Sequence, residues 1–409
     1  MGTARGEARL AIPTSLEELD REWLSAALRE AGVLREARVT AVEHEVLGEG
    51  EGFMGRVARL HLDLDRPEPE VPSRLIAKIP TDVPENRAIG ELLGAYEREI
   101  LFYSDVAAQL PLRTPRVYYS AMDGSRTSRN EAAMAARMDR WPMWLIRWTM
   151  VLVTSIARRR GRRYVLLVED LGPGGAGDQV AGCSAADARH VLAAIARVHA
   201  LFWNSPFLNS AYWLRRQDLN PRTMHSMFLR NLPSFSDRFR SSTPPSFAKK
   251  LAWLEKRAVE LLRALYATTP ETLLHCDLRL DNLVFPPPDR RGPDSIGFLD
   301  WQLAGRGPGS YDVAYFLSGA LSADLPAGVA IDLVRGYHAD LVAHGVRDYA
   351  FEDCLRDYRR ALLAVLHRIS STDVMDLGEG RGSELIAAWL TRTLAQLRDV
   401  DPDFLLAPR

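Results

Sequence analysis

The sequence predicts an α+β chain in which a small lobe, built on an antiparallel sheet, precedes a larger and mainly helical lobe. Three observations carry this expectation. Residues 39–120 read as strand, glycine-rich turn, strand, strand, helix, strand, which is an antiparallel sheet carrying one helix. From Ser184 onward the apolar positions recur mostly at helical spacing. A compact block at 272–300 interrupts that pattern, with two apolar runs, LLHCDL and SIGFLD, flanking a Pro/Gly-rich turn. The expected division is an amino-terminal lobe over 1–166, a hinge over 167–171 and a carboxy-terminal lobe over 172–409.

The first helix should begin at Thr14 or Ser15, where Glu17 and Glu18 can close a capping box, and stop near Gly32. VTAVEHEVLG (39–48) and RVARLHLDLD (56–65) follow as strands, the second with clear alternation of apolar and polar side chains. A turn set by Pro67, Pro69 and Pro72 leads to a third strand, RLIAKIP at 74–80. Helical periodicity runs over 88–110, and RVYYS (116–120) returns as a strand. RYVLLVEDL (163–171) is a buried strand that ends in acidic residues. Helices are expected over 184–203, with Ser184 placed for an N-cap, and over 248–267. The stretch 310–400 is helical apart from a looser acidic and Gly-rich segment at 373–383, and no internal repeat is visible.

Composition removes several classes of function. A formal net charge of -1 gives no global attraction to nucleic acid, which is not expected as a partner. Cys183, Cys276 and Cys354 are an odd, scattered set without CxxC spacing. That excludes a disulfide framework and an ordinary zinc cage, and fits a reducing, cytoplasmic setting. The opening residues hold no apolar signal core, and no uncharged apolar run reaches the ~18 residues of a membrane span. Among 52 basic residues, lysine occurs only at Lys78, Lys249, Lys250 and Lys256, so each lysine asks for a reason.

The chemistry concentrates in HCDLRLDN at 275–282 and FLDW at 298–301. Phosphoryl transfer from ATP asks for a carboxylate near the acceptor hydroxyl, oxygen ligands for magnesium, and cations on the phosphates. Asp277 is placed to accept or orient a hydroxyl proton. Asn282 and Asp300, the latter at the end of an apolar strand, offer hard oxygen donors of the kind Mg2+ takes. His275 reads as a brace for the loop. Arg279 either faces the transferred phosphate or is one more surface arginine.

These residues resemble a known pattern. HxDxxxxN followed by a strand ending in Asp is shared by protein kinases and by the aminoglycoside phosphotransferase and choline kinase families. The closer likeness is to the ecdysteroid kinase-like branch and its bacterial relatives. It lies in HCDLRLDN, in DWQLAGRGPGSYDVAYFL (300–317) and in ARVHALFW (196–203). The resemblance implies a protein kinase-like two-lobed fold, ATP and Mg2+ as cofactors, and direct transfer of the γ-phosphate to a hydroxyl of a small molecule. It also implies that Asp312 is a buried carboxylate tying down the catalytic loop. In one departure, the family's Gly after the His is Cys276 here, a strained choice if the backbone needs positive φ.

In the amino-terminal lobe, GEGEGFMGRV (48–57) lies between two strands. Gly50, Gly52 and Gly55 would let main-chain amides approach phosphate, although hairpins use glycine in the same way. Lys78, in the apolar strand LIAK, stands where the family and protein kinases keep a lysine on the α- and β-phosphates. Its partner should come from YEREILFY (96–103). Both Glu97 and Glu99 are available, and the family pattern selects Glu99. VLLVEDLG (165–172) matches the family's hinge strand, so main-chain groups of Val168, Glu169 and Asp170 would meet the adenine edge.

Residues 121–163 form an insertion with ten arginines and three acidic residues, a local formal charge of +7. Within it, Trp141, Trp144 and Trp148 stand at helical spacing ahead of a basic end. Three readings stay open: peripheral contact of 141–163 with an anionic membrane, a lid forming an apolar wall for the substrate, and plain packing. Such a segment suits an apolar or anionic acceptor better than a polycationic aminoglycoside. An inactive nucleotide-binding scaffold would be expected to lack Asp277 or Asp300, and both are present. A protein kinase would need an activation segment, for which the short run between Asp300 and Asp312 leaves no room.

Overall fold

The structure, a computed structural model, describes residues 10–47, 54–124, 131–158, 161–172, 175–216, 220–240, 243–268, 270–326, 328–371, 381–398 and 400–406. The chain forms two compact units. One comprises Met1–Tyr103, Pro115–Arg126 and Thr154–Leu171; the other comprises Ser104–Thr114, Thr127–Val153 and Gly172–Arg409. Residues 127–153 therefore group with the second unit, whereas the sequence reading assigns all of 121–163 to the amino-terminal lobe.

The chain begins with α1 (Arg21–Glu30), β1 (Val39–Leu47), β2 (Gly55–Leu64), β3 (Arg74–Pro80), α2 (Pro84–Leu93), α3 (Ala95–Asp105) and β4 (Val117–Met122). Then come α4 (Glu131–Met138), α5 (Met143–Ala157) and β5 (Tyr164–Glu169). Two helix boundaries differ from expectation. Asp20 caps α1, its Oδ1 accepting from Glu22 N (2.9 Å) and Trp23 N (2.8 Å). The expected cap at 14–15 serves a separate 3-10 turn, Leu16–Glu18, where Thr14 donates to the Glu18 carboxylate. The single helix expected over 88–110 is split by Gly94, whose φ of 66° ends α2 in the left-handed conformation before α3 begins.

The five strands form one antiparallel sheet in the order β1-β2-β3-β5-β4. On one face Ala58, Leu60, Leu75, Ala77, Val165 and Leu167 join Leu24 and Leu28 of α1 in a core. Each such leucine, fully buried, contributes roughly 2–3 kcal/mol through removal from water. Because β5 lies inside the sheet, five of its six residues are buried, hence its unbroken apolar run. On the other face β3 and β5 turn Lys78 and Tyr164 toward α3.

The second unit continues with β6 (Gly175–Ala176), α6 (Ala185–Leu201), α7 (Phe207–Ser210), β7 (Arg215–Arg216), α8 (Pro221–Phe239) and α9 (Pro245–Thr268). After these come β8 (Thr272–Leu274), β9 (Leu283–Phe285), β10 (Gly297–Phe298), β11 (Gly305–Gly307), α10 (Ser310–Ala320), α11 (Gly328–Ala343), α12 (Phe351–Ser371) and α13 (Arg381–Gln396). Ser184 caps α6 as expected, its Oγ accepting from Asp187 N at 3.1 Å. The sequence pattern does not announce α8, because Pro233 lies inside it. Every residue of α10 is buried, which explains the apolar run around Asp312. Helices α8 and α12 meet at a buried histidine pair, His225 Nδ1 and His367 Nε2, 3.3 Å apart. Two three-stranded sheets, β10-β9-β6 and β7-β11-β8, hold the loop that runs from β8 to β9.

Candidate active site

In the first unit Lys78 pairs with Val57 on β2 and Leu166 on β5, which fixes its main chain within the sheet. Its Nζ lies 2.6 Å from Glu99 Oε1, and Glu99 Oε2 accepts from the Tyr164 hydroxyl at 3.0 Å. Glu99 is only 2% exposed, so its charge demands a close cation. Glu97, the other acid open to Lys78 on sequence, instead meets Arg162 at 3.1 Å. Arg162 also holds Glu91 at 3.0 Å. Burial works against the Arg162 charge, but Glu91 and Glu97 hold its guanidinium above the usual arginine range.

Gly55 opens β2 opposite Pro80, and a Cβ there would stand 3.2 Å from the Ile79 carbonyl oxygen. Gly50 and Gly52 lie outside the described residues. In the segment expected as the hinge, Val168 is in register with Ile76 on one side and Val117 on the other. Glu169 N donates to Arg116 O at 2.8 Å. The Asp170 carboxylate is buried and accepts from Arg59 Nε at 2.9 Å, with Arg74 Nε at 3.8 Å. The main chain of Glu169 and the side chain of Asp170 thus tie this segment to the sheet.

In the second unit the loop 275–282 is braced from below by Asp312 of α10. Its Oδ2 accepts from His275 N (2.7 Å) and its Oδ1 from Cys276 N (2.9 Å). His275 Nε2 bonds Leu299 O at 2.9 Å, linking the loop to the chain entering Asp300. Cys276 has a φ of 64°, so the side chain that replaces glycine sits in the left-handed region. Asp300 has a φ of 62°, and aspartate tolerates that conformation better than most residues.

Asp277 is the centre toward which side chains converge. Asn282 Nδ2 donates to its main-chain oxygen (2.9 Å) and to Oδ2 (3.0 Å). The Tyr315 hydroxyl donates to Oδ1 at 2.7 Å, and Arg279 Nε stands 3.6 Å from Oδ2. Burial alone would raise the Asp277 carboxyl. The charges of Arg279 and Arg368, the Tyr315 hydroxyl and His275 hold it below the usual aspartate range instead. Burial and the Asp277 charge push the Tyr315 hydroxyl far above the usual tyrosine range, so it remains a donor. Arg368 stands over the Tyr315 ring and donates to Tyr311 Oη at 3.0 Å.

Asn282 O accepts from Leu299 N at 2.9 Å, which brings Asn282 beside the residues leading into Asp300. With both amide hydrogens on Asp277, the side-chain Oδ1 of Asn282 is the atom that could meet a cation. Among the described residues no cluster of three or more His, Cys, Asp or Glu side chains is arranged to hold a metal. Two protein oxygens nonetheless suit Mg2+, which keeps several ligands from phosphate and water.

Two contributors were not legible as such. Tyr315 follows Asp312 by three residues, so one helical face carries both the brace of the loop and a donor to Asp277. Gln179, in the stretch AGDQVAGCS, is fully buried, and sequence reading gives it no role. Its Oε1 accepts from Leu280 N (2.7 Å) and its N donates to Asp281 Oδ1 (3.1 Å). Arg392 holds the same stretch from α13 through Gln179 O (2.6 Å) and Val180 O (2.7 Å). A Cβ on Gly177 would stand 2.6 Å from Leu280 O, so only glycine allows this approach to the loop.

Against known proteins, the sequence profile of the ecdysteroid kinase-like family matches residues 49–351. The chain belongs to the ecdysteroid kinase-like family. That family is one of kinase-like phosphotransferases. Curated relatives include a homoserine kinase of Ralstonia nicotianae (strain ATCC BAA-1114 / GMI1000), 32% identical over 122 residues, 30% of this chain and 36% of the relative. Another, from Ralstonia pickettii (strain 12J), is 29% identical over 167 residues, 40% of this chain and 49% of the relative. The chain thus spans less than half of either relative. Among solved structures it is similar to choline kinase from Cryptosporidium parvum Iowa II at 10% identity and a TM-score of 0.47, covering 89% of this chain and 91% of that one. Macrolide 2'-phosphotransferase from Brachybacterium faecium is similar at 15% identity and a TM-score of 0.42, covering 90% and 98%.

Proposed function

We propose that this ecdysteroid kinase-like protein moves the γ-phosphate of Mg-ATP directly to a hydroxyl of a small apolar or anionic metabolite. The observation that carries the reading is the convergence of Asn282, Tyr315 and Arg279 on the Asp277 carboxylate. A carboxylate held ionised in this way orients an acceptor hydroxyl by accepting its hydrogen bond. Strong basicity is not needed when the transition state is loose. Lys78, kept in place by Glu99, would neutralise the α- and β-phosphates, and Arg279 the transferred group. Main-chain amides of the glycine-rich sequence at 48–55, including Gly50, Gly52 and Gly55, would approach the phosphates. The segment Val168–Asp170 would carry the adenine edge. Asn282 and Asp300 would hold Mg2+, which when bound neutralises charge on the phosphate oxygens. His275 and Asp312 would serve as supports. The odd, scattered set of Cys183, Cys276 and Cys354, without CxxC spacing, supports a cytoplasmic setting for the enzyme.

The test is magnesium-dependent ADP release over a panel of hydroxylated compounds. Sterols, hydroxy fatty acids, choline, sugars, macrolides and aminoglycosides belong in it, with homoserine added because of the two partial relatives. Asp277→Asn should lower turnover of any hit by about 10^3-fold while the thermal midpoint stays near wild type. Undiminished turnover in that variant, or absence of ATP binding by the wild type, contradicts the reading.

A further inference from the structure

Helix α5 carries a surface that the proposed phosphoryl chemistry does not use. A helix that is apolar almost all the way round is normally buried. In its fifteen residues α5 has one charged side chain, Arg147. Yet Trp144 is 70% exposed, Trp148 61%, Val151 65% and Leu152 44%. These four fall at i, i+4, i+7 and i+8 and so share one face, while Ile146, on the opposite side, is fully buried.

Along residues 133–153 the exposed charge has one sign. Arg137 and Arg140 precede the helix and Arg147 lies within it, all exposed. The one acid among residues 133–153, Asp139, is buried, accepting from Arg263 at 2.7 Å and from Arg222 N at 2.9 Å. It therefore offsets none of the three exposed arginines.

We propose that this face is a docking surface for an anionic lipid bilayer. Helix α5 lies in the plane of the interface, with Trp144, Trp148, Val151 and Leu152 in the boundary between headgroups and acyl chains. Arg137, Arg140 and Arg147 meet the anionic headgroups. Tryptophan suits this level of a bilayer because its ring is apolar and its N–H polar. Spanning is excluded by length: fifteen residues rise about 22 Å, short of the ~30 Å hydrocarbon core. No helix among the described residues is long and apolar enough to cross a membrane. A second copy is a poor occupant. A twofold contact would bring the same arginines together with no exposed acid of the segment to answer them.

Sedimentation of the full chain with vesicles tests this. Vesicles of phosphatidylcholine alone are compared with vesicles also containing phosphatidylglycerol, at low and at raised salt. The protein should pellet with the anionic vesicles, stay in solution with the neutral ones, and be released by salt. Trp144→Ser with Trp148→Ser, and separately Arg140→Glu with Arg147→Glu, should each weaken partitioning at least about tenfold. The thermal midpoint should not move, since all four positions are exposed. Failure to bind at low salt, binding indifferent to phosphatidylglycerol, or full binding by either variant overturns the proposal. So does a dimer in sedimentation equilibrium that the tryptophan variant dissolves, which would give the face to a second copy. The ADP-release assay reads the kinase proposal separately, so the two stand or fall apart.

Discussion

In the first unit a buried anion, Glu99, holds a cation, Lys78, at 2.6 Å; in the second, donors from Asn282, Tyr315 and Arg279 hold an anion, Asp277. The two arrangements are mirror images in charge. Each uses a buried group to fix the position of one that is partly open: Lys78 and Asp277 keep 18% and 14% of their side-chain surface. The supporting groups, Glu99 and Asp312, keep 2% and none. The difference teaches which member of each pair is scaffold. Removing a scaffold member should cost mainly stability; removing the presented member should cost activity, and stability as well where it takes the close counter-ion from a buried charge.

Breaking the first arrangement should have the largest effect. Lys78→Met takes from the buried Glu99 the cation that stands 2.6 Å away, at a cost of about 3–5 kcal/mol in denaturant unfolding. Adding Glu99→Gln should restore more than half of that stability without restoring ADP release. A double variant as unstable as the single one would mean that Glu99 answers to another cation. Next comes Asp312→Asn, whose amide cannot accept from both His275 N and Cys276 N. About 3 kcal/mol should be lost, and a cost under 1 kcal/mol would deny Asp312 its supporting role.

Acid should sharpen the comparison, because the second unit also holds a buried group kept neutral. Burial and the neighbouring His225 push His367 down to about 3. Below pH ~6.5 the unfolded chain binds a proton there that the folded chain refuses, so stability falls as pH drops toward 3. Between pH 6.5 and 5 the loss should approach 2 kcal/mol, and a His367→Gln variant should escape most of it. An equal acid loss in that variant would place the sensitivity elsewhere. The smallest effect concerns Cys276. Relief of its left-handed backbone should offset lost burial and added chain entropy, leaving Cys276→Gly within ~1 kcal/mol of wild type. Cys276→Val, β-branched at the same φ, should lose about 2 kcal/mol or more in the same measurement.

How much of this was legible depended on whether the signal was local. The strands were readable because a half-buried sheet alternates and an interior strand does not, as β2 and β5 do. Lys78 stood out because all but four of the chain's 52 basic residues are arginines, and the other three lysines lie together at 249–256. The choice between Glu97 and Glu99 was not decided by residue type or spacing alone, since both face inward; the structure gives one to Arg162 and the other to Lys78. Arg162 itself was one basic residue among ten in its segment, with nothing local to distinguish it. Gln179 was invisible for a different reason: its partners Leu280 and Asp281 lie about a hundred residues away, and a single buried glutamine leaves no periodic trace. Tyr315 could have been found by projecting Asp312 three residues along a helix.

The orientation of the Asn282 amide limits what protein engineering can do here. A carboxylate in its place would look like a stronger ligand for a divalent cation. It would also set a second negative charge about 3 Å from Asp277, where two carboxylates do not both stay ionised. One would take up a proton, and the acceptor hydroxyl would lose the partner that orients it. Under the proposed function, affinity for metal and readiness for the acceptor would therefore meet in a single side chain, and a neutral amide is the residue that would serve both.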